Sequence, residues 1–506
     1  MIAVKTEPWN CVTAPVNTCS SGDAAVVLVT ANARYSHASL GLRCLAAGLR
    51  SVPCRTEILE FTLDHTPWDI AEGVLRRSPV VAGLGVYIWN VRQMAEAAWI
   101  IRRARPDLVL IGGGPELYRE PEAFPAFDAL DVVISGEGEQ VFARLVGEVL
   151  QGRFPDQKVI TAPPVPEAEI PLPAAWYSDE DLIARTIYIE TSRGCPCQCV
   201  YCLSAVENGV RHIPMEQVAP AVKDLLRRGA RRIKLVDRTF NLDPCRMAEV
   251  LALFQPVSAW PGLSLHLEIH PGFFREAEML SLLQAFPPGA LHLEVGVQSL
   301  NPETRRAIRR GGDPEQDLVV TRLLIRETGA EVHADLIAGL PLESEESIRT
   351  GFDRLYATGA HEVQLGILKR LRGAPIAAGA YAGDLVFNPA PPYDVVRTTW
   401  MSWEGLARTR QVARMTDLFH NRGRFRHLLP WAPIQGESPW DWYLGLASHV
   451  NARHGALHGI ALPAQERLLR SYLAVCFDGA MLAEALERLE ADARTRLPQS
   501  RRHPDQ

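Results

Sequence analysis

TIYIETSRGCPCQCVYCLSA, residues 186–205, begins as a β-type run and passes directly into a loop carrying Cys195, Cys197, Cys199 and Cys202. The chain has 10 Cys, and four of them fall within these eight positions. Clustering of that kind is foreign to buried apolar cysteines. Thiolates at short loop spacing share soft metals, which leaves a four-Cys zinc site, an iron–sulfur cluster or free thiols as readings. Zinc knuckles split their ligands into two pairs a dozen or more residues apart. Here all four lie together after one strand, where barrels of parallel strands place their chemistry.

The strand at 186–191 is the first of a series. RRIKLVD (231–237), LSLHLEIH (263–270), LHLEVGVQS (291–299), EVHADLIAGLP (331–341) and HEVQLGILK (361–369) follow it, with helical patterns between them. Val218, Val222, Leu225 and Leu226 share one helical face, and Asp313-Pro314 reads as an N-cap followed by proline at the first helical position. Strands alternating with helices predict a parallel sheet, here a full or partial (β/α)6 barrel over 181–387.

A second alternating series precedes it. AAVVLVTA (24–31), RTEILEF (55–61), VVAGLGVYI (80–88), DLVLIGG (107–113) and DVVIS (131–135) predict a five-stranded Rossmann- or flavodoxin-like domain over 23–150. Residues 151–180, with TAPPVPEAEIPLPAAW, read as a Pro-rich extended linker. Residues 1–22 read as a flexible extension. A helical domain is expected over 388–506, rich in tryptophan (Trp400, Trp403, Trp431, Trp440, Trp442) and fraying at QSRRHPDQ. Those tryptophans suit either a helical core or a cap over the barrel mouth.

At 506 residues, about three domains are expected. A hydrophobic fraction of 47% and a charged fraction of 22% exclude disorder throughout and coiled-coil fibre. The net charge of -6 lacks the basic surplus of a phosphate-neutralising protein, so nucleic acid is not expected as a partner. Neither a signal peptide nor a charge-free apolar stretch of about 18 residues is visible, so a cytoplasmic protein without a membrane span is expected. Thiols stay reduced there.

Cys195, Cys199 and Cys202, with Tyr201 before the third, reproduce the C-x-x-x-C-x-x-C motif of the radical S-adenosylmethionine (SAM) superfamily, which the chain resembles. The resemblance implies that these three cysteines hold a [4Fe–4S] cluster whose open iron chelates SAM, with Cys197 outside the ligand set. It places Tyr201, Asp237, Arg238, Glu268, Glu294, Gln298, Ser299 and Asp335 beside SAM, Arg238 being able to neutralise its carboxylate. A charged residue on a strand also suits a solvated edge or a structural ion pair.

The preceding sheet resembles the cobalamin-binding domain of the cobalamin-dependent radical SAM class. Its strand-end loops NARYSHASLG (32–41), YIWN (87–90), GGGPE (112–116) and SGEGEQ (135–140) would surround that cofactor. Asn32, Tyr35, His37, Tyr87, Gly113, Gly114, Pro115, Gly136, Glu137 and Gly138 are the residues assigned to it. One signature differs: His37 lies in SHASLG without the Asp of the D-x-H-x-x-G motif that supplies a cobalt-binding histidine elsewhere. The tail, with PPYDV (391–395), SWEGL (402–406) and NRGRF (421–425), resembles an uncharacterised branch of such proteins with a C-terminal helical extension.

The resemblance implies reductive SAM cleavage with cobalamin as second cofactor, and methyl transfer to an unactivated carbon of a small-molecule or peptide substrate. A one-electron donor such as flavodoxin or ferredoxin would supply the electron. A radical rearrangement or cyclisation without methyl transfer is the alternative, and a non-catalytic corrinoid or iron–sulfur sensor the rival of another class. A methylthiotransferase fits less well, because Cys11, Cys19, Cys44 and Cys54 lack strand-end placement as a set.

Overall fold

The computed structural model describes residues 25–206, 209–436 and 438–495. The expected extension 1–22, with Cys11 and Cys19, and the end at QSRRHPDQ lie outside the described residues.

The N-terminal sheet is parallel and contains β1 (Val26–Asn32), β2 (Thr56–Thr62), β3 (Val81–Gly85), β4 (Val109–Gly113), β5 (Val132–Gly136) and β6 (Val159–Ala162) in the order 2-1-3-4-5-6. Helices α1 (Leu40–Gly48), α2 (Pro67–Leu75), α3 (Val91–Ala104) and α4 (Glu139–Leu150) cover it. Its strands are apolar on both sides because both sides are covered. Val27 and Val29 pack with Ile70, Met94 and Ile101, while Val26 and Leu28 pack with Leu42, Phe142 and Leu145. Five strands were expected, and β6 is the correction. It comes from the stretch read as a linker, where β-branched Val159, Ile160 and Thr161 pair with β5 just before the prolines break the run.

Helix α5 (Asp179–Ala184), closed by a Ser178–Asp181 capping box, leads into the second domain. Strand β7 (Ile187–Ile189) is followed by an antiparallel hairpin, β8 (Ser192–Cys195) and β9 (Gly209–His212), and then by α6 (Met215–Arg227). There follow β10 (Arg232–Leu235), α7 (Pro244–Ala252), β11 (Ser264–Ile269), α8 (Glu276–Gln284), β12 (Leu291–Gln298), α9 (Pro302–Ala307), α10 (Pro314–Glu327), β13 (Glu331–Ala338), α11 (Glu345–Tyr356) and β14 (Glu362–Ile367). The six parallel strands stand in chain order, 7-10-11-12-13-14, as a partial (β/α)6 barrel. Asp313 caps α10 with Pro314 in its first turn, as the sequence predicts.

The C-terminal region holds a small hairpin, β15 (Leu385–Phe387) with β16 (Val395–Thr398), and helices α12 (Trp403–Met415), α13 (Pro439–His454), α14 (Leu462–Cys476) and α15 (Gly479–Thr495). It closes the barrel edge that no strand covers. Asn421, ending a π-helical segment after α12, accepts from Val363 N at 2.9 Å and donates to Val363 O at 3.1 Å, standing in for a neighbouring strand. Trp440 and Trp442 are buried, Trp440 edge-on to Phe352 of α11 at 5.9 Å. These two tryptophans therefore serve the helical core. Among the described residues, no helix is long and apolar enough to cross a membrane.

Candidate functional site

The cysteine loop is the connection of the β8–β9 hairpin, with Cys195 opposite Gly209. Two backbone bonds tie it down: Val200 N donates to Ile308 O at 3.1 Å, and Ile376 N donates to Val200 O at 2.8 Å. Cys195 and Cys199 are buried, and Cys197 and Cys202 half-buried. Hydrogen bonds from Cys197 and from Thr239, whose hydroxyl lies 3.3 Å from Cys195 Sγ, hold the Cys195 thiol below the usual thiol range. Burial raises Cys199, against the opposing effect of Arg310. Among the described residues, no three His, Cys, Asp or Glu side chains stand at single-ion distance.

Arg310, which the sequence reading missed, is the cation of this loop. Its guanidinium donates to the Gly296 carbonyl, hydrogen-bonds Cys199 and faces Cys195, Cys197 and Tyr201. Soft thiolates are the donor set of an iron–sulfur cluster, and a buried cation beside them offsets the cluster's negative charge. The signal available in sequence was only an arginine soon after the EVGVQS strand.

The residues assigned to SAM separate into two groups. Glu268 and Asp335 face the barrel interior, and Arg238 stands 3.5 Å from Glu268 at the rim. Burial pushes the Glu268 carboxyl up to about 7. Gln298 sits at a β-bulge with φ +72, and its amide occupies the space a Cβ on Gly296 would need. Tyr201 hydrogen-bonds Cys199.

The second group is engaged with neighbouring side chains and backbone of the scaffold. Asp237 is buried and accepts from Thr191 N (3.0 Å), Thr191 Oγ1 (2.7 Å) and Ser192 Oγ (2.5 Å), fixing the turn that leads to Cys195. The Ser299 hydroxyl donates to Glu343. Glu294 lies deeper in the lumen, 3.0 Å from Lys234 Nζ and 2.8 Å from His266 Nε2, and these partners hold it ionised against the cost of burial.

Glu294 belongs to a polar cluster unforeseen from sequence: Lys234, His266, Glu294, His333 and Glu362, on five successive strands. His333 lies 3.0 Å from Asp335. Burial works against its charge, but Asp335, Glu362 and Glu294 raise it to about 9. Barrels are ordinarily filled by branched apolar side chains, so a charged lumen marks space for a polar occupant.

At the N-terminal sheet, the assigned cobalamin residues lie at the carboxyl ends of the strands facing the barrel. Several are spent on docking or scaffold. Asn32 donates to Glu60 (2.9 Å) and to the His37 carbonyl (2.8 Å). The Tyr35 hydroxyl donates to Glu180 (2.7 Å), and His37 Nδ1 lies 2.6 Å from the Tyr188 hydroxyl of β7. Glu137 pairs with Arg193 (2.8 Å) and with Arg211, both on the cysteine hairpin, and Arg193 also reaches Glu139 (2.6 Å). Gly138 is the N-cap of α4.

The GGGPE loop is strapped from the far end of the chain. Tyr393 donates to Glu116 at 3.0 Å, while Glu120 pairs with Arg370 (3.0 Å) and Arg372 (2.9 Å). Gly114, at φ +108 with Pro115 after it, leaves no room for a Cβ, which would stand 2.5 Å from Val86 O. Gly113 is open on that side apart from Ile134 O at 3.8 Å, so a flat ligand can approach its backbone. Tyr87 stacks on Trp89 with ring centres 4.7 Å apart. Glycine backbone, a flat aromatic face and a sheet edge turned toward the cysteine loop suit a corrin.

Comparison with known proteins agrees with this division. Residues 189–355 match the radical SAM superfamily and residues 26–146 the B12 binding domain, while residues 383–481 match a protein of unknown function (DUF4080). Residues 189–355 thus form a radical SAM domain, and the B12-binding domain stands ahead of it in the chain. It is 24% identical over 323 residues to the 2-(S-pantetheinyl)-carbapenam-3-carboxylate methyltransferase of Streptantibioticus cattleyicolor, covering 58% of this chain and 47% of that one. The chain thus spans about half the length of that curated relative. The fold matches TsrM from Kitasatospora setae with cobalamin and [4Fe–4S] cluster bound, at TM-score 0.61 and 20% identity over 93% of this chain and 99% of that chain. It also matches the cobalamin-dependent SAM radical enzyme OxsB with aqua-cobalamin and SAM bound, at TM-score 0.67 and 15% identity over 93% of this chain and 84% of that chain.

Proposed function

We propose that this chain is a cobalamin-dependent radical SAM enzyme that transfers a methyl group to an unactivated carbon. The observation carrying this reading is the docking of the cysteine hairpin onto the carboxyl edge of the N-terminal sheet through Arg193, Arg211, Glu137 and Glu139. One fold thereby turns the two cofactor-bearing edges toward each other. When bound, the cluster supplies the electron for SAM cleavage and cobalamin carries the methyl group.

The residues then have distinct tasks. Cys195, Cys199 and Cys202 hold the cluster, and Arg310 balances its charge. Glu268 receives the SAM amino group, Arg238 faces its carboxylate, and Asp335 and Gln298 orient its ribose. Strapping of the GGGPE loop by Tyr393, Arg370 and Arg372 limits water at the mouth. The polar lumen accepts a substrate with hydrogen-bonding groups, a small molecule or a peptide. A flavodoxin- or ferredoxin-like protein supplies the electron in the cytoplasm.

The test is anaerobic reconstitution with iron, sulfide and hydroxocobalamin, followed by desalting and an ultraviolet–visible spectrum. Both cofactors are expected to be retained, and with dithionite as the electron source SAM labelled in its methyl group is expected to give 5′-deoxyadenosine and to transfer label to the bound cobalamin. Retention of the cluster with loss of cobalamin overturns methyl transfer in favour of a cobalamin-independent radical reaction.

A further inference from the structure

RRAIRR, residues 305–310, puts four arginines into six positions of a chain whose net charge is -6. The run leads from the last turn of α9 into the loop beside the cysteines. Two of the four arginines turn inward. Arg305 is buried, pairs with Asp317 at 2.6 Å and donates to the Gly311 carbonyl at 2.7 Å. Arg310 binds the Gly296 carbonyl and Cys199.

The other two turn outward. Arg306 has 78% of its side chain exposed, and Glu303, one turn back, stands 3.9 Å from it. An exposed pair at that spacing contributes little. Arg309 is exposed, and its side chain meets no carboxylate among the described residues. Its φ of +55 is the left-handed conformation that glycine adopts most easily after a helix. A cation in the last turn suits the helix dipole, which accounts for Arg306. Neither an ion pair nor a packed side chain accounts for an arginine at 309, where glycine costs least.

This loop lies directly on the thiol loop. The Ile308 carbonyl accepts from Val200 N at 3.1 Å. That carbonyl belongs to the peptide unit joining Ile308 to Arg309, and that N–H to the unit joining Cys199 to Val200. A single hydrogen bond therefore connects the backbone of the exposed arginine to that of a cysteine of the cluster motif. On its other side Val200 O accepts from Ile376 N at 2.8 Å, and exposed Ala378, Gly379 and Ala380 follow, none with a bulky side chain. Val200 is half-buried and Gln198 exposed, so the cysteine loop comes to the surface here. Positive charge beside small side chains, one hydrogen bond from a thiolate, suits a negatively charged protein that must bring a redox group close.

We propose that Arg306 and Arg309 dock a small acidic one-electron carrier protein, which reduces the cluster across the hydrogen bond between Ile308 and Val200. This rests on the cluster held by Cys195, Cys199 and Cys202 as read above. The carrier loses one electron, a flavodoxin passing from hydroquinone to semiquinone, and the oxidised cluster gains it.

Flavodoxin and a plant-type ferredoxin, both acidic, are the probes on the reconstituted full chain. The Kd of each oxidised carrier is measured by biolayer interferometry at low and at high salt. Formation of 5′-deoxyadenosine is followed with each carrier, its reductase and NADPH, and separately with dithionite. The double variant Arg306→Glu, Arg309→Glu is expected to bind at least one carrier about tenfold more weakly, to lose most of the salt dependence and to raise the KM for that carrier alike. Its iron content and its rate with dithionite stay at the wild-type level. Arg309→Gly, which suits the positive φ and so keeps the fold, is expected to weaken binding about threefold. Arg227→Glu, at an exposed arginine in the last turn of α6, changes neither Kd nor KM. Unchanged Kd and KM for both carriers in the double variant and in Arg309→Gly overturn the proposal. So does a dithionite rate or iron content that falls with the carrier-driven rate, because the arginines then position the thiol loop instead. A wild type that cleaves SAM with dithionite but binds neither carrier overturns the docking alone, whereas one that holds no cluster and cleaves no SAM sinks the radical SAM reading itself.

Discussion

The two parallel sheets of this molecule are built alike and used differently. Strand β1 is buried at every position, whereas β12 alternates buried and half-buried residues along its length. The first sheet has helices on both faces and a core on both, which leaves only its carboxyl edge for ligands. The second curls, packs helices against its outer face alone and turns the other face into a lumen. A flat sheet therefore binds at its rim, and a curled one binds in its interior as well.

The strongest test of that contrast is at the lumen's mouth. Replacing Cys195, Cys199 or Cys202 singly by Ala is expected to abolish cluster retention and SAM cleavage, while Cys197→Ala keeps both. Iron content and the visible absorption band decide it, and a Cys197 variant without cluster would break the three-ligand assignment.

Consecutive substitutions probe the faces directly. In β1, Leu28→Ala is expected to cost about 2–5 kcal/mol, and Val29→Ala about half as much, since both side chains are buried. In β11, Leu267→Ala should cost a similar ~2–5 kcal/mol, but His266→Ala only about 1 kcal/mol, since His266 faces the lumen and leaves no hole in the packed core. Urea unfolding measures all four, and equal losses at 266 and 267 would erase the distinction.

The lumen also predicts a pH dependence. With its carboxyl raised by burial to about 7, Glu268 is neutral below that pH and cannot pair with the SAM amino group. SAM affinity, measured by equilibrium dialysis on reconstituted protein, is expected to fall as pH drops through 7, approaching about tenfold per unit. Glu268→Gln should bind weakly and without that slope. The smallest effect is expected at the open edge of the curled sheet. There Asn421→Ala removes two bonds to Val363 and should lower stability by about 1–2 kcal/mol in thermal unfolding.

Much of this was legible in the chain because local chemistry repeats. The cysteine spacing, the Asp313-Pro314 cap and the strand runs of both domains depend on near neighbours. Strand β6 was hidden because its few β-branched residues sit inside a proline-rich stretch. The bonds that Asp237, Ser299 and Glu137 make to the scaffold were not legible, because an acidic or hydroxyl side chain at a strand end reads the same whether it faces a cofactor or the scaffold. Arg310 gave no signal beyond its place after the EVGVQS strand, since nothing local distinguishes it from Arg309.

The sequence by itself determined the two alternating strand–helix series, the thiol loop and the order of the domains, because periodicity and ligand spacing are properties of adjacent residues. Only the tertiary structure decided that Arg310 faces Cys199, that Lys234, His266, Glu294, His333 and Glu362 line one lumen, and that Ile308 is bonded to Val200. These contacts join residues far apart in the chain, and their charge and exposure are set by what folding brings beside them.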